Sequence, residues 1–204
     1  MPSARVNGVE LYYEETGRGF PLVWSHEFAG DHRSWEPQVR YFSRRYRVIA
    51  YNHRGYPPSG VPADPAAYDN LTLVEDLHQL LRHLGITRAH VGGLSMGGNV
   101  ALNFGLRHPE MAESLIIAGC GSGTAGREQF LREYGALADE VERGGMETLQ
   151  RRFGAIATRR VFAAKDPRGW EEFQRYLGEH SPQASAHLIR GVILKRKTIY
   201  ELER

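Results

Sequence analysis

Strand-length apolar runs and helix-length amphipathic stripes take turns along residues 21–119, and few architectures accept that order. Residues 21–25 (Pro-Leu-Val-Trp-Ser), 46–51 (Tyr-Arg-Val-Ile-Ala-Tyr), 89–93 and 114–119 (Ser-Leu-Ile-Ile-Ala-Gly) are short and rich in β-branched and aromatic side chains, so each predicts a strand. The last of them is apolar enough to predict burial on both faces. Between the strands, residues 31–45 carry Trp35, Val39 and Phe42 near helical spacing, and residues 71–84 place Leu73, Val74, Leu77, Leu80, Leu81 and Leu84 on one wide stripe. Thr72 and Glu75 fit a capping box for that second helix, and Gly85 stops it. Such alternation predicts an α/β chain, a mainly parallel sheet with helices on both faces. Ahead of it, Val6-Asn7-Gly8-Val9 predicts a hairpin, because Asn-Gly accepts the positive φ angles of a two-residue turn.

The tightest reversal in the alternation is Gly93-Leu94-Ser95-Met96-Gly97, a G-x-S-x-G pentapeptide between strand 89–93 and an apolar helical run, 96–107. So short a strand-to-helix turn strains the backbone at Ser95, and Gly93 and Gly97 omit the Cβ atoms that would collide as the two backbones converge. The hydroxyl of Ser95 is lifted clear of the sheet, close to the N–H groups that open the following helix, where negative charge is stabilised. Ser95 is therefore the candidate nucleophile.

Composition narrows the partners. A net charge of +2 on 204 residues, with a quarter of them charged, gives no reason to expect nucleic acid or anionic lipid. The single cysteine, Cys120, cannot form an internal disulfide, and residues 1–5 lack the apolar stretch of a signal peptide, which together point to the cytoplasm. No run is long enough to span a bilayer. After Gly121-Ser122-Gly123 strands give way to helical segments at roughly 127–143, 146–164, 169–179 and 184–204. The expected division is a core at 1–123 and a helical cap at 124–204.

Four features, in order, make the sequence resemble the cap-bearing branch of the α/β-hydrolase family over essentially its whole length. Ser25-His26-Glu27-Phe28 resembles the family's His-Gly-X turn, Asn52-His53-Arg54-Gly55 its Asp-x-Arg-Gly loop, Ser95 its nucleophile elbow, and the helical insertion follows the next strand. The resemblance implies that Ser95 attacks a carbonyl carbon while the backbone N–H groups of Met96 and Phe28 form the oxyanion hole. Family members that open epoxides or displace halide carry Asp at the elbow, so Ser95 implies acyl transfer to water: esterase or lactonase chemistry on a small acyl substrate, with activated C–C bonds as a further option. Neither metal nor cofactor is implied, and the residues that would bind substrate are not identified by the sequence.

Two departures from the family pattern stand out. Glu27 occupies the usual glycine position, and its carboxylate is expected to turn away from the oxyanion, towards Arg54. The triad acid and histidine, which in the family follow later strands, have no matching segment; the position after the next strand reads Gly119-Cys120-Gly121-Ser122, without a carboxylate, and the nine histidines read as ordinary surface or supporting residues. A serine without its histidine loses about 10⁶-fold in kcat, so a C-terminally incomplete, nearly inactive hydrolase is expected. Its last strand would be an open sheet edge, inviting self-association or element swapping; a stable, monodisperse monomer would contradict this. A non-catalytic fold-mate that binds a small ligand is the alternative reading.

Two other motifs were weighed. Gly121-Ser122-Gly123-Thr124-Ala125-Gly126 fits G-x-G-x-x-G, yet no second strand ending in an acid follows, so a dinucleotide site is not expected. His26-Glu27 with His32 lacks the spacing of H-E-x-x-H. The aromatic residues Phe130, Tyr134, Phe153, Phe162, Trp170, Phe173 and Tyr176 are read as core before pocket.

Overall fold

The computed structural model describes residues 2–202. Asn7 and Gly8 sit at φ 46° and 75°, the twist that joins strand β1 (Ser3–Val6) to β2 (Val9–Thr16) in the expected hairpin. With β3 (Phe20–Ser25), β4 (Tyr46–Tyr51), β5 (Ala89–Leu94) and β6 (Ala112–Ala118) they form one sheet in the order β1-β2-β4-β3-β5-β6. From β4 through β3 and β5 to β6 the neighbours are parallel, and β1 and β2 add an antiparallel margin. Ser25 stands opposite Tyr51 on one side and Gly93 on the other, so β3, β4 and β5 finish almost level at the carboxyl edge, where open α/β sheets carry their sites.

Alternation along the strands separates two layers. Leu22, Trp24, Val48 and Ala50 face Trp35 and, on helix α1 (Glu36–Phe42), Val39 and Phe42. Val23, Ile49 and Val91 point the other way, towards α2 (Asn70–His83) and α3 (Met96–Arg107), whose Leu73, Leu77, Val100 and Phe104 are fully buried. The segment expected as one helix at 31–45 begins instead as a 3₁₀ turn, His32–Trp35, capped by the Asp31 side chain. Nor does the Thr72–Glu75 capping box form. Asp69 caps α2 through the Leu71 N–H at 2.8 Å, so the helix starts earlier and Glu75 is free for other partners.

After β6 come α4 (Arg127–Gly144), α5 (Met146–Ala155), α6 (Ala157–Lys165), α7 (Pro167–Gly178) and α8 (Pro182–Leu188). The helix expected at 146–164 is two, because Ile156 is extended (φ −70°, ψ 131°) and turns α6 back towards the sheet edge. The helix expected at 184–204 stops early. It widens into a π-helical turn, Ile189–Ile193, closed by the Leu194 N–H on the Ile189 carbonyl, and then Lys195-Arg196-Lys197 offers no apolar stripe to bury. Residues 203 and 204 of that expected helix lie outside the described residues. Leu137, Val141, Leu149, Leu177, Leu188 and Ile189 share one continuous apolar core with α2, α3 and the sheet.

Strand β6 corrects the expectation of burial on both faces. Leu115, Ile116 and Ile117 are 36, 40 and 43 % exposed, since β6 is the last strand, paired only with β5. Its apolar run has no cover among the described residues beyond α3, where Leu115 reaches Gly105. No helix among the described residues is long and apolar enough to cross a membrane.

Candidate active site

Ser95 joins β5 to α3 at φ 52°, ψ −109°, and among the described residues only it and Asn7 combine a side chain with positive φ. Such a conformation costs on the order of 1–3 kcal/mol and persists only where the surroundings enforce it. The enforcing contacts are backbone approaches: a Cβ on Gly93 would lie 2.1 Å from the Gly97 carbonyl oxygen, and one on Gly97 would lie 2.1 Å from that of Ser25. The Ser95 N–H donates to the Ala118 carbonyl at 2.9 Å, and its own carbonyl accepts from Asn99 N–H at 3.0 Å. With its backbone pinned between β6 and the first turn of α3, Ser95 lines a small cleft of about 90 Å³.

Phe28 and Met96 line the same cleft. Both residues are buried, and among the described residues neither N–H donates a hydrogen bond. The Phe28 carbonyl is held by the Tyr56 hydroxyl at 2.8 Å. The turn before it is fixed by His26, whose Nδ1 donates to the Glu27 carbonyl at 2.8 Å while its Nε2 accepts from the His53 N–H at 3.1 Å. Those two bonds use both nitrogens of a neutral imidazole, and a second ring proton would face a donor.

Burial accordingly pushes His26 from 6.5 down to about 4, and burial beside His26 pushes His53 the same way. Unfolding releases both to ordinary values, so between pH 4 and 6.5 the unfolded chain binds more protons. Stability is complete above 6.5 and is lost as pH falls, at about 1.4 kcal/mol per pH unit for each such histidine. Urea unfolding at pH 5 should therefore give a stability at least about 2 kcal/mol below that at pH 7. A flat profile over that interval would refute the neutral, buried pair.

Glu27 does not turn to Arg54. Arg159 of α6 takes both Glu27 carboxylate oxygens at 2.6 Å, and the guanidinium also lies 4.7 Å over the Phe173 ring. Arg54 is already committed: Nε and Nη2 hold the two Asp76 oxygens at 2.6 Å, and the remaining donors reach the carbonyls of Ala67 and Asn7. The Glu27 charge is thus neutralised from the helical layer, and the 27–28 turn is tied to α6.

Of the aromatic residues read as core, Phe130, Tyr134 and Phe153 line the Ser95 cleft, while Phe162, Phe173 and Tyr176 line a wider groove on the far side of Glu27 and Arg159. Trp170 stacks on Phe173. Asn99 and Arg196 complete the lining around Ser95 without having been singled out by sequence. Asn99 lies one helical turn after Ser95, a spacing from which it could have been found; Arg196 follows the early end of α8, which no periodicity foretold. Among the described residues no carboxylate pairs with Arg196.

Of the nine histidines, expected as surface or supporting residues, His26, His53, His180 and His187 are buried. His53 Nε2 is 2.9 Å from Ser25 Oγ, His180 Nε2 is 3.5 Å from an Asp31 oxygen, and among the described residues no histidine hydrogen-bonds Ser95. Asp31 is well below the usual carboxylate range: burial alone would raise it, but bonds from His180 and Arg33 prevail. His26, Glu27 and His32 spend their ligating atoms on the Glu27 carbonyl, Arg159 and Asn52. Gly126 opens α4 and the chain continues into α5, and among the described residues no second strand of the kind a dinucleotide site needs follows.

A model of the α/β hydrolase fold family matches residues 21–181. RutD of Azorhizobium caulinodans, named as a provisional carbamate hydrolase, is 33 % identical over 132 residues, covering 65 % of this chain and 48 % of that protein. Epoxide hydrolase 3 of Mus musculus is 28 % identical over 120 residues, 58 % of this chain and 33 % of its own. The chain thus spans about half or less of these curated relatives. The enol-lactonase of Burkholderia xenovorans LB400 superposes with a TM-score of 0.82 at 26 % identity, over 93 % of this chain and 72 % of that one. With a strained serine between β5 and α3, the sheet order above and a family match running from β3 to the start of α8, the chain belongs to the α/β-hydrolase fold family.

Proposed function

We propose that the protein is a serine hydrolase acting on a carboxylic ester, lactone or similar small acyl substrate. Ser95 Oγ adds to the carbonyl carbon, its proton passes to a base, and the alcohol leaves with a proton to give an acyl-enzyme that water then cleaves. Phe28 and Met96 N–H groups receive the oxyanion, each worth roughly 2.7–4 kcal/mol in the transition state. The observation carrying this reading is the positive-φ serine opening on one cleft with two buried, undonated N–H groups. Helices α4–α8 act as the cap that shapes the acyl pocket. The named chemistry of the enol-lactonase neighbour favours a lactone or enol ester over the epoxides of other relatives, which agrees with serine at the elbow. The unpaired cysteine, Cys120, suits a cytoplasmic setting.

Among the described residues no imidazole hydrogen-bonds Ser95, so the 204-residue chain turns over slowly, retaining at best the 10³- to 10⁴-fold over water that binding and an oxyanion hole supply. That same gap supports the second reading, a fold-mate that binds a small ligand without cleaving it. Chemical rescue separates the two. Millimolar imidazole added with a p-nitrophenyl ester should raise hydrolysis saturably, and Ser95→Ala should abolish the increase while binding of a product acid persists. Equal imidazole-dependent rates for both proteins would sink the nucleophile and leave the binding protein.

A further inference from the structure

On the opposite end of α3, Glu75, His78 and His108 converge. Glu75 and His78 are three residues apart on α2 and so share its face, and His108 caps the C-terminus of α3 against them. One potential ligand atom from each, two imidazole nitrogens and a carboxylate oxygen, lies within 4.8 Å of the others. The two imidazoles stack with centroids 3.9 Å apart and planes 18° from parallel. His78 Nδ1 is 3.1 Å from Glu75 Oε1, which also accepts from Gln79 at 2.9 Å. Glu75 Oε2 instead faces His108 Nε2 at 3.8 Å, too far for a hydrogen bond.

His108 Nε2 is the atom that demands an explanation. It is buried and has no hydrogen-bond partner among the described residues, a state that costs on the order of 1–3 kcal/mol. Carboxylates flank the ring on both sides, Glu75 3.8 Å from Nε2 and the more exposed Glu110 3.9 Å from Nδ1, and neither distance is a hydrogen bond.

The geometry points to a divalent transition-metal site of Zn²⁺ type, formed by Glu75, His78 and His108, that staples α2 to the C-terminal end of α3. Two imidazoles and one carboxylate suit Zn²⁺, Co²⁺ or Ni²⁺ over Mg²⁺ or Ca²⁺. Metal–ligand bonds near 2.0–2.2 Å bring ligand atoms to roughly 3.3 Å apart, so binding requires one imidazole to swing out of the stack and aim its in-plane lone pair at the shared ion. Three protein ligands leave one position for water. Thirteen residues of helical rise separate His108 from Ser95, about 20 Å, so the ion acts on stability and on the fixity of α3 and takes no part in chemistry at Ser95.

Co²⁺ titration of the 204-residue protein, followed by Zn²⁺ competition and thermal unfolding, tests this. Expected are 1:1 d–d absorption of four-coordinate Co²⁺, its displacement by Zn²⁺, and a Tm rise of roughly 5–10 °C at saturating Zn²⁺. His78→Gln and His108→Gln should each lose both signals with little change in metal-free Tm. For the unaltered protein, Zn²⁺ should protect His78 and His108 from diethylpyrocarbonate, so the assignment does not depend on any variant folding. Absence of Co²⁺ absorption at about 100 μM metal, a thiolate charge-transfer band from Cys120, or full binding in His78→Gln would overturn the site.

Discussion

Gly97→Ala should lower stability by roughly 3 kcal/mol or more, a fall in Tm of about 6–12 °C, and remove any function at Ser95. The added methyl would meet the Ser25 carbonyl oxygen at 2.1 Å, the Ser25 carbonyl carbon at 2.5 Å and the His26 oxygen at 2.6 Å. These are main-chain atoms at the end of a central strand, so no rotamer change relieves the contact. Either α3 retreats from β3 or the 25–28 turn moves, and both take Ser95 and Phe28 out of register. Gly135→Ala is the control of opposite sign. Gly135 lies inside α4 with open space where its Cβ would stand, and alanine there should stabilise by about 0.5–1 kcal/mol. Thermal unfolding of the two variants side by side checks both; equal effects would mean that the β3–α3 approach is looser than described.

Arg54→Met should cost about 3–5 kcal/mol, because it strands the fully buried Asp76 carboxylate with only Asn7 Nδ2, at 2.8 Å, to balance it. Arg54 fastens the 52–55 loop to α2 and, through the Asn7 carbonyl, to the first hairpin. Removing both charges is a different experiment. Arg54→Met with Asp76→Leu should recover most of the loss, since a buried ion pair often does no better than apolar residues of similar size. Urea unfolding of the single and double variants measures the coupling, and additive losses would show that Arg54 acts through its carbonyl contacts alone.

Legibility in the sequence followed the range of the forces involved. The hairpin at Asn7-Gly8, strands β3 to β6 and the elbow are set by local backbone chemistry and side-chain period, and they could be read directly. Ser95, Gly93 and Gly97 were legible for that reason. Phe28 and Met96 were placed by resemblance, and the structure brings them to the same cleft. What escaped depends on partners distant in sequence. Glu27 meets Arg159, 132 residues away, and nothing local distinguishes that arginine from Arg54. Ile116 and Ile117 read as interior because apolar composition records what a strand needs, whereas exposure records what covers it. The Glu75, His78 and His108 cluster was split between two helices, with only the Glu-x-x-His half visible to spacing.

The proposed reaction needs the Ser95 oxygen, presented by a strained turn, beside two amide protons. A crystal structure of the protein after fluorophosphonate treatment, with imidazole present to assist the reaction, tests it most directly. Expected are a phosphorus–Oγ bond at Ser95 and a phosphoryl oxygen about 2.7–3.1 Å from both the Phe28 and Met96 nitrogens. A phosphonyl group on any other residue, or on Ser95 with its oxygen turned away from those amides, would contradict it.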